Sequence, residues 1–550
     1  MYIVNIYIDL KQYFLYKSTN SSGLLFSKIR AKINYIFGGD VLFASVNSVG
    51  LFGMEAYTVS VEADLSGGMP RFDMVGLPDA AVSESRERVR SAIRNSGLDF
   101  PVSRVTINLA PADIRKEGPI YDLPVLIAVL KATGQLKSNT ENRAFIGELS
   151  LSGEVRHING VLPMVIQARK AGFSEIYIPH SNLAEGAVVD GIAVYPIKTV
   201  SELLAHLRGE AELSPVSAKD YSEYTLPPDL PDFADVKGQH EAKRALEVAA
   251  AGGHNVMMIG PPGSGKSMLA KRIPSILPDM TFEEALETTN IYSVAGVLPP
   301  EISLIKVRPF RSPHHTVSPA GLSGGGTVPR PGEISLAHNG VLFLDELPEF
   351  SRTAMEIMRQ PIEDGKITIA RVAATFSYPC SVMLVCAMNP CPCGFYGHPT
   401  RKCTCPAGAP QRYLSRVSGP LLDRLDIHIE VPPVDFDDLS KTAKEESSAE
   451  IKARVDKARK IQQERLKGTG IPCNAKMDAA LTRKFCAPTP TAAAMLKAAF
   501  EKLGLSARAY DKVLRVARTI ADLDGKEQID VPHIAEAVQY RSLDRKFWKA

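Results

Sequence analysis

One segment restricts the fold of this 550-residue chain more strongly than any other part of its sequence. It fits the pattern G-x-x-x-x-G-K-[ST], in which glycine turns let backbone amides approach phosphates closely. An apolar run precedes it and a helical run follows it, which is the order of strand, loop and helix that phosphate binding requires. The predicted nucleotide-binding residues are Gly260, Pro261, Pro262, Gly263, Ser264, Gly265, Lys266 and Ser267.

Polar residues also follow two other apolar strands. The run 342–344 ends in Asp345 and Glu346, and the next apolar strand is followed by Asn389. Continuous apolar strands are typical of a parallel sheet, whose carboxyl ends form one ligand-binding edge. We predict that Asp345 and Ser267 bind Mg²⁺ and that Glu346 orients the attacking water. Asn389 is predicted to hold that water or the terminal phosphate, and an exposed acidic strand end is the disfavoured alternative.

The length predicts two to four domains, at about 100–200 residues each. Strands and helical patterns alternate in the first part, a proline-rich stretch follows, and apolar residues at helical spacing over 451–461 indicate a helical end. Later helices are predicted to begin at Ser506 and at Val531. The predicted parts are an extension at 1–40, either disordered or due to a misassigned start, an α/β domain at 41–211, a linker at 212–232, a parallel-sheet domain at 233–435 and a helical domain at 436–550.

Composition excludes several classes of protein. With 64 Lys and Arg against 61 Asp and Glu, the net charge is +3, so a nucleic-acid surface must come from local placement of cations. The 45% of hydrophobic residues is typical of a folded chain. No apolar run reaches the roughly 18 residues of a membrane helix, and the amino end lacks the basic leader of a secretory signal. Eight cysteines are too few for a secreted disulfide scaffold, so we predict a cytoplasmic protein without a membrane partner.

Further segments carry a resemblance to a known family. They are RFDMVGLPDAAVSESRERVRSAI at 71–93, RPFRSPHHTVS at 308–318, MNPCPCG at 388–394, SGPLLDRLD at 418–426 and LSARAYDKVLRVARTIADL at 505–523. With the loop and the acidic pair, they resemble the YifB/ComM family of competence-associated, magnesium-chelatase-like AAA+ ATPases over nearly everything from Val41 onward. The resemblance implies a multidomain α/β protein: a Lon-protease-like domain of the ChlI type without its catalytic dyad, an AAA+ domain with insertions near 290–335 and 366–378, and a C-terminal helical lid.

The resemblance also implies three catalytic roles. Asn389 would be the sensor-1 residue, Arg424 an arginine finger that reaches the neighbouring subunit's nucleotide, and Arg508 the sensor-2 residue. A guanidinium supplied in trans makes a ring the active form, and the family implies a homohexamer that uses ATP and Mg²⁺. Lys512 and Arg515 share the helical face of Arg508, and for these two we prefer a solvated face.

The implied insertions contain three arginines that are candidates for DNA contacts. Copies of Arg311, Arg330 and Arg371 facing the pore of a ring would hold phosphates without reading sequence, so single-stranded or branched DNA is the predicted partner. Residues 366–378 indicate a hairpin with Arg371 near its bend. The open alternative is that these arginines pair with acids at subunit contacts. The adjacent histidines of the first insertion are predicted to point to opposite faces of an extended segment, which favours packing over metal binding.

Four of the eight cysteines, Cys391, Cys393, Cys403 and Cys405, flank a short turn-rich loop. Four thiolates can form a tetrahedral structural Zn²⁺ site. The C-x-C spacing is tighter than the common C-x₂-C spacing, so buried or free thiols remain the alternative. His398 is a further ligand candidate if one thiol is out of reach, and the other cysteines are predicted to be small core residues.

A protease function needs a nucleophile, and the sequence lacks one at the implied position. Ile120 stands where such a protease would carry its serine, and the companion segment 160–165 contains no lysine. Without a nucleophile and a base there is no acyl transfer, so we expect a scaffold or a DNA-facing collar. Four arginines of one segment either face DNA there or pair with acids of their own helix: Arg86, Arg88, Arg90 and Arg94.

The resemblance therefore predicts a hexameric ATP-driven DNA translocase or helicase that promotes branch migration in natural transformation or recombination. Two alternatives keep the ATPase: a chelatase-like machine that remodels a protein complex, and a DNA-binding collar with a regulatory ATPase. Stimulation of ATP hydrolysis by DNA would separate the first from the others.

Overall fold

A computed structural model describes residues 43–216, 230–326, 329–370, 375–398, 400–433, 445–504, 506–543 and 547–548. The predicted extension at 1–40 and Arg371 lie outside the described residues, as does the middle of the predicted linker. Of the helices in these ranges, none is both long and apolar enough to cross a bilayer.

The first domain is built on a seven-stranded sheet, whose strands lie in the order Arg71–Val75, Arg104–Ala110, Glu55–Ser66, Phe43–Phe52, Arg143–Phe145, Glu175–Pro179 and Ala193–Ile197. Its longest strand alternates buried Val59, Val61 and Ala63 with less buried neighbours, as expected for a strand with one face on a core. A helix with ten of its eleven residues buried packs on the first two strands. The strands are β1 Phe43–Phe52, β2 Glu55–Ser66, β3 Arg71–Val75, β4 Arg104–Ala110, β5 Arg143–Phe145, β6 Glu148–Leu149, β7 Val155–Arg156, β8 Glu175–Pro179 and β9 Ala193–Ile197, and the helices are α1 Ala80–Asn95, α2 Asp122–Ala132, α3 Val161–Lys170, α4 Leu183–Gly186 and α5 Val200–Leu207.

The second domain contains the predicted parallel sheet, and this prediction is confirmed. Its order is β11-β14-β17-β10-β18, and every pair is parallel. Alternate residues of the strand 256–259 enter two different cores, which explains why its run is apolar without interruption. The elements are α6 His240–Gly252, β10 Val256–Ile259, α7 Lys266–Arg272, α8 Phe282–Ala295, β11 Phe310–Arg311, α9 Pro319–Ser323, β12 Gly324–Gly325, β13 Arg330–Pro331, α10 Glu333–Leu336, β14 Val341–Leu344, α11 Arg352–Ile357, α12 Arg359–Asp364, β15 Lys366–Ala370, β16 Thr375–Pro379, β17 Met383–Met388, α13 Ala409–Leu414, α14 Gly419–Leu422 and β18 Ile427–Glu430.

The carboxyl-terminal part is helical, as the apolar spacing predicts. Ile451, Val455 and Ala458 are buried on one face of the first of these helices, which packs on α6. Ser506 caps the fourth helix by accepting from the Ala509 amide. The helices are α15 Ser448–Arg465, α16 Ala479–Phe485, α17 Pro490–Leu503, α18 Ala507–Leu523 and α19 Val531–Gln539.

The first two domains are in direct contact. The Gly160 amide donates to the Ser293 carbonyl at 3.1 Å, and the Ser293 hydroxyl donates to the buried Glu185. β15 and β16 form the predicted hairpin, and the Phe376 ring of this hairpin lies 4.9 Å from the Phe52 ring of the first domain. A buried polar contact and an aromatic contact therefore join the first domain to two separate parts of the parallel-sheet domain.

Candidate functional site

The predicted nucleotide-binding loop connects β10 to α7 at the carboxyl edge of the parallel sheet. Gly263 and Gly265 have φ values of 77° and 91°, a backbone region that side chains disfavour. Gly260 is required for a different reason: a Cβ atom there would lie 2.2 Å from the Val431 carbonyl oxygen. The glycines of the motif thus allow both the turn and its close packing against the chain after β18.

Lys266 lies inside this loop and is 8% exposed. Its ammonium donates to the carbonyls of Gly260 and Pro261, each at 2.9 Å, and lies 3.3 Å from Oδ1 of Asn389. Burial lowers the pKa of Lys266, and the neighbouring Asp345 carboxylate opposes this shift. The side chain is therefore held where phosphate oxygens can replace loop carbonyls as its acceptors.

Ser267 and Asp345 meet at the same edge. The Ser267 hydroxyl donates to the Asp345 carboxylate at 2.5 Å, and the other carboxylate oxygen accepts from the Glu346 amide at 3.0 Å. A hydroxyl oxygen and a carboxylate oxygen are ligands that Mg²⁺ accepts in phosphate sites. These two residues therefore fit the magnesium ion that the loop motif implies.

Glu346 occupies a strained position beside a histidine for which the sequence predicted packing only. Its φ of 53° lies in the left-handed region, and its side chain is 56% exposed. Nδ1 of His315 lies 3.4 Å from its carboxylate. The His315 ring also lies 4.1 Å from the His314 ring, so the prediction that these neighbours point to opposite faces was wrong. The chain turns after Pro313, and the spacing of apolar residues in the sequence does not predict this turn.

Arg424 and Arg508 lie together in another part of the molecule. Both line a cleft of about 520 Å³ between the parallel-sheet domain and the helical part, and of the eight loop residues described none lines it. Arg424 pairs with Glu363 and also donates to the Pro420 carbonyl at 2.8 Å. The two arginines thus share a cleft that the loop of their own chain does not line.

Lys512 and Arg515 do not lie on a solvated face, so that interpretation was wrong. The Lys512 ammonium is buried 2.9 Å from the Asp426 carboxylate, and Arg515 donates to the Met477 carbonyl at 2.7 Å. Burial opposes ionisation of Asp426, yet Lys512 and His254 hold its pKa well below the ordinary range. Lys512 joins the helical part to the chain just before β18, whereas Arg515 bonds within the helical part.

The arginines predicted to contact DNA differ in their surroundings. Two nitrogens of Arg311 donate to the Glu333 carboxylate, each at 2.7 Å, within one chain. This pair within the chain differs from both uses predicted for Arg311, which were a contact with DNA and a pair with an acid at a subunit contact. Arg330 is exposed on the short strand β13, and Arg371 lies outside the described residues.

The four cysteines of the loop after β17 converge, with all four sulfur atoms within 4.8 Å of one another. Cys391 is buried and the other three are partly exposed. The remaining cysteines are buried, as predicted for small core residues: Cys380, Cys386, Cys473 and Cys486.

The first domain has an apolar residue at the implied nucleophile position. Ile120 is buried, and the nearby Asp122 accepts two bonds from Arg88, at 2.6 and 3.0 Å. Arg88 therefore supports the domain internally. The other three arginines of its helix line a cleft of about 340 Å³ together with Arg71: Arg86, Arg90 and Arg94.

Comparisons with known proteins cover most of the chain. Three sequence families match: "Magnesium chelatase, subunit ChlI" at 232–439, "Subunit ChlI of Mg-chelatase" at 61–182 and "Magnesium chelatase, subunit ChlI C-terminal" at 445–541. Competence protein ComM of Haemophilus influenzae is 44% identical over 517 residues, 92% of this chain and 99% of that protein. Protein YifB of Escherichia coli is 44% identical over 502 residues, 91% and 97% of the two chains. Lon protease 2 of Bacillus subtilis is 29% identical over 148 residues, 24% and 26% of the two chains.

Proposed function

This chain belongs to the YifB/ComM family of magnesium-chelatase-like proteins, and from that membership we propose that it is an ATP-driven, homohexameric motor that moves along DNA and promotes branch migration. The proposal takes its process from the competence protein ComM, its DNA substrate from the family resemblance and its fuel from the candidate nucleotide site. The observation that supports the ring is that Arg424 and Arg508 line a cleft that none of the eight loop residues of their own chain lines.

At the nucleotide, each residue of this edge has a separate task. Backbone amides of the loop and the Lys266 ammonium hold the phosphates, while Ser267 and Asp345 would hold Mg²⁺, which offsets phosphate charge when bound. Glu346 orients the attacking water by accepting one of its protons in a hydrogen bond. Asn389 positions that water or the terminal phosphate from the neighbouring strand. Hydrolysis then depends on positioning and charge, which are what phosphoryl transfer asks of a protein.

The positive charge that completes the nucleotide site comes from the next subunit. Arg424 reaches that subunit's terminal phosphate after leaving Glu363, and Arg508 follows because both line the same cleft. A guanidinium supplied in trans raises turnover by about 10³–10⁵. Assembly of the ring and ATP hydrolysis are therefore coupled, because each site needs an arginine of the adjacent subunit.

DNA would be held inside the ring by the inserted segments. Arg330 on β13 and Arg371, which the sequence predicts near the bend of the hairpin, are the candidate phosphate contacts, and such contacts do not depend on sequence. Arg311 is left out because Glu333 neutralises it. The chelatase families that match the chain favour one alternative, in which the same motor remodels a protein complex.

A strand-displacement assay on forked and four-way DNA tests the proposal. The wild-type chain is expected to separate strands only with hydrolysable ATP, and Lys266→Ala is expected to separate none. DNA should stimulate ATP hydrolysis, and Arg330→Ala should reduce that stimulation while leaving nucleotide binding intact. A wild-type chain that hydrolyses ATP but displaces no strand, with or without DNA stimulation, would refute the motor and favour remodelling of a protein complex.

A further inference from the structure

Four sulfur atoms converge beside the nucleotide-binding loop. Sγ of Cys391 lies 3.4 Å from that of Cys393 and 3.7 Å from that of Cys403, and Cys393 lies 3.5 Å from Cys403. Cys405 is within 4.8 Å of all three. Thiolates bound to one zinc ion at about 2.3 Å stand roughly 3.8 Å apart in a tetrahedron. The cluster therefore has the size of a site for a single ion.

The chain between the cysteine pairs is folded back so that its ends meet. Gly394 and Gly397 both have positive φ values, 83° and 76°, which turn the backbone at two points. The described residues between β17 and α13 form no helix or strand. A segment that buries so little apolar surface needs a cross-link to hold one conformation, and a metal ion can provide it.

Two other uses of the cysteines fit the distances less well. A disulfide joins its sulfurs at about 2.05 Å, much closer than the three separations given above, and all four cysteines are free. An iron–sulfur cluster distributes its thiolates over several iron atoms, so their sulfurs stand further apart than thiolates that share one ion. Zinc prefers four thiolates in a closed tetrahedral site, and that is the arrangement present.

We propose that Cys391, Cys393, Cys403 and Cys405 bind one structural zinc ion, and that this site braces the nucleotide-binding loop. The brace is a direct contact: a Cβ atom on Gly394 would lie 2.3 Å from Cδ of Pro262, so the cysteine loop is pressed against the phosphate loop. Cys391 also follows Asn389 by two residues, and Asn389 approaches Lys266. The bracing role rests on the proposed nucleotide site, whereas zinc binding does not.

Metal analysis tests the zinc site independently of catalysis. The full chain, purified in reducing buffer without chelator, is expected to contain about one zinc per chain. The Cys403→Ser/Cys405→Ser double variant should lose most of it, and Cys473→Ala, which changes a buried thiol outside the cluster, should keep it. Cobalt added to the metal-free wild type should produce thiolate-to-metal charge-transfer absorption. Iron in place of zinc, a wild type without stoichiometric metal, or a double variant that retains it would overturn the proposal.

A glycine pair tests the brace with the zinc in place. Gly394→Ala should push Pro262 away and weaken binding of a fluorescent ATP analogue severalfold, while zinc stays at one per chain. Gly408→Ala is the matched control, because Gly408 also has a positive φ of 75° but an added Cβ would meet no atom within 4 Å. Equal nucleotide affinity in the two variants would refute the brace. Loss of DNA unwinding alone would bear on the motor and not on this site.

Discussion

Replacing Arg424 tests whether turnover depends on the neighbouring subunit. Arg424→Ala is expected to lower ATP turnover by about 10³–10⁵, the contribution of a guanidinium supplied in trans. At about 1.4 kcal/mol per factor of ten, this range corresponds to about 4–7 kcal/mol of transition-state stabilisation. Nucleotide affinity of the unassembled chain should change little, because Arg424 lines a cleft that its own nucleotide-binding loop does not line.

The ion pair of Arg424 with Glu363 opposes the movement of Arg424 toward the neighbouring subunit. Arg424 must leave Glu363 before it can reach a neighbour, and the Glu363 side chain is 58% exposed. The Arg424 side chain is only 15% exposed, but water around the carboxylate screens the pair, so we take its contribution as about 1 kcal/mol, which is less than a factor of ten in rate. Glu363→Gln should therefore raise turnover by less than tenfold, whereas Arg424→Ala should remove nearly all of it. The expected stabilisation of the transition state by Arg424 is larger than the free energy of its ion pair with Glu363.

Phosphate release by the assembled full-length chain, at saturating ATP, measures both effects. Mixing the inactive variants Lys266→Ala and Arg424→Ala should restore part of the activity, since some interfaces then combine an intact loop with an intact arginine. Two results would refute this argument: an Arg424→Ala chain that keeps more than a tenth of its turnover, or a mixture no more active than its components.

Three further changes have distinct expected outcomes. Lys512→Met leaves the buried Asp426 without its lysine partner and should lower the free energy of unfolding by about 3–5 kcal/mol. Urea titration with the single tryptophan as probe measures this loss. Adding Asp426→Asn should recover most of it, and no recovery would contradict the ion pair. Because burial lowers the pKa of Lys266, its ammonium loses its proton at a lower pH than that of an ordinary lysine. Affinity for a fluorescent ATP analogue should therefore fall as the pH rises through that pKa. An affinity that does not change at alkaline pH would contradict this. Arg330→Ala should weaken DNA binding and reduce its salt dependence, whereas Arg311→Ala should not reduce the salt slope, because Glu333 already neutralises that side chain.

The sheet and the nucleotide loop are predictable from the sequence for a physical reason. A strand buried on both faces, such as 256–259, leaves an uninterrupted apolar run, and a loop that approaches phosphate needs glycine at fixed positions. The same logic brings Asp345 and Asn389 to one edge, since parallel strands end on the same side. These inferences depend on local chemistry and on one rule of topology.

Contacts between residues that are far apart in the chain cannot be predicted from such local patterns. The spacing of Lys512 identifies a helical face, but it does not reveal that the chain near Asp426 covers that face. The approach of His315 to Glu346 depends on a turn after Pro313 and on the path of the inserted segment between strands. The pairing of Arg311 with Glu333 is likewise set by how β11 and α10 pack. Such pairs become visible only when the tertiary structure is known.

The aromatic contact between Phe52 and Phe376 has a mechanical consequence. A rigid shift of the hairpin during an ATP cycle must either part these two rings or rotate the first domain with it. Because the Gly160 amide is bonded to a second element, α8, relative motion of hairpin and helix would twist the first domain about two anchor points. In the proposed motor, the first domain would then act as a lever arm that moves with each ATP cycle.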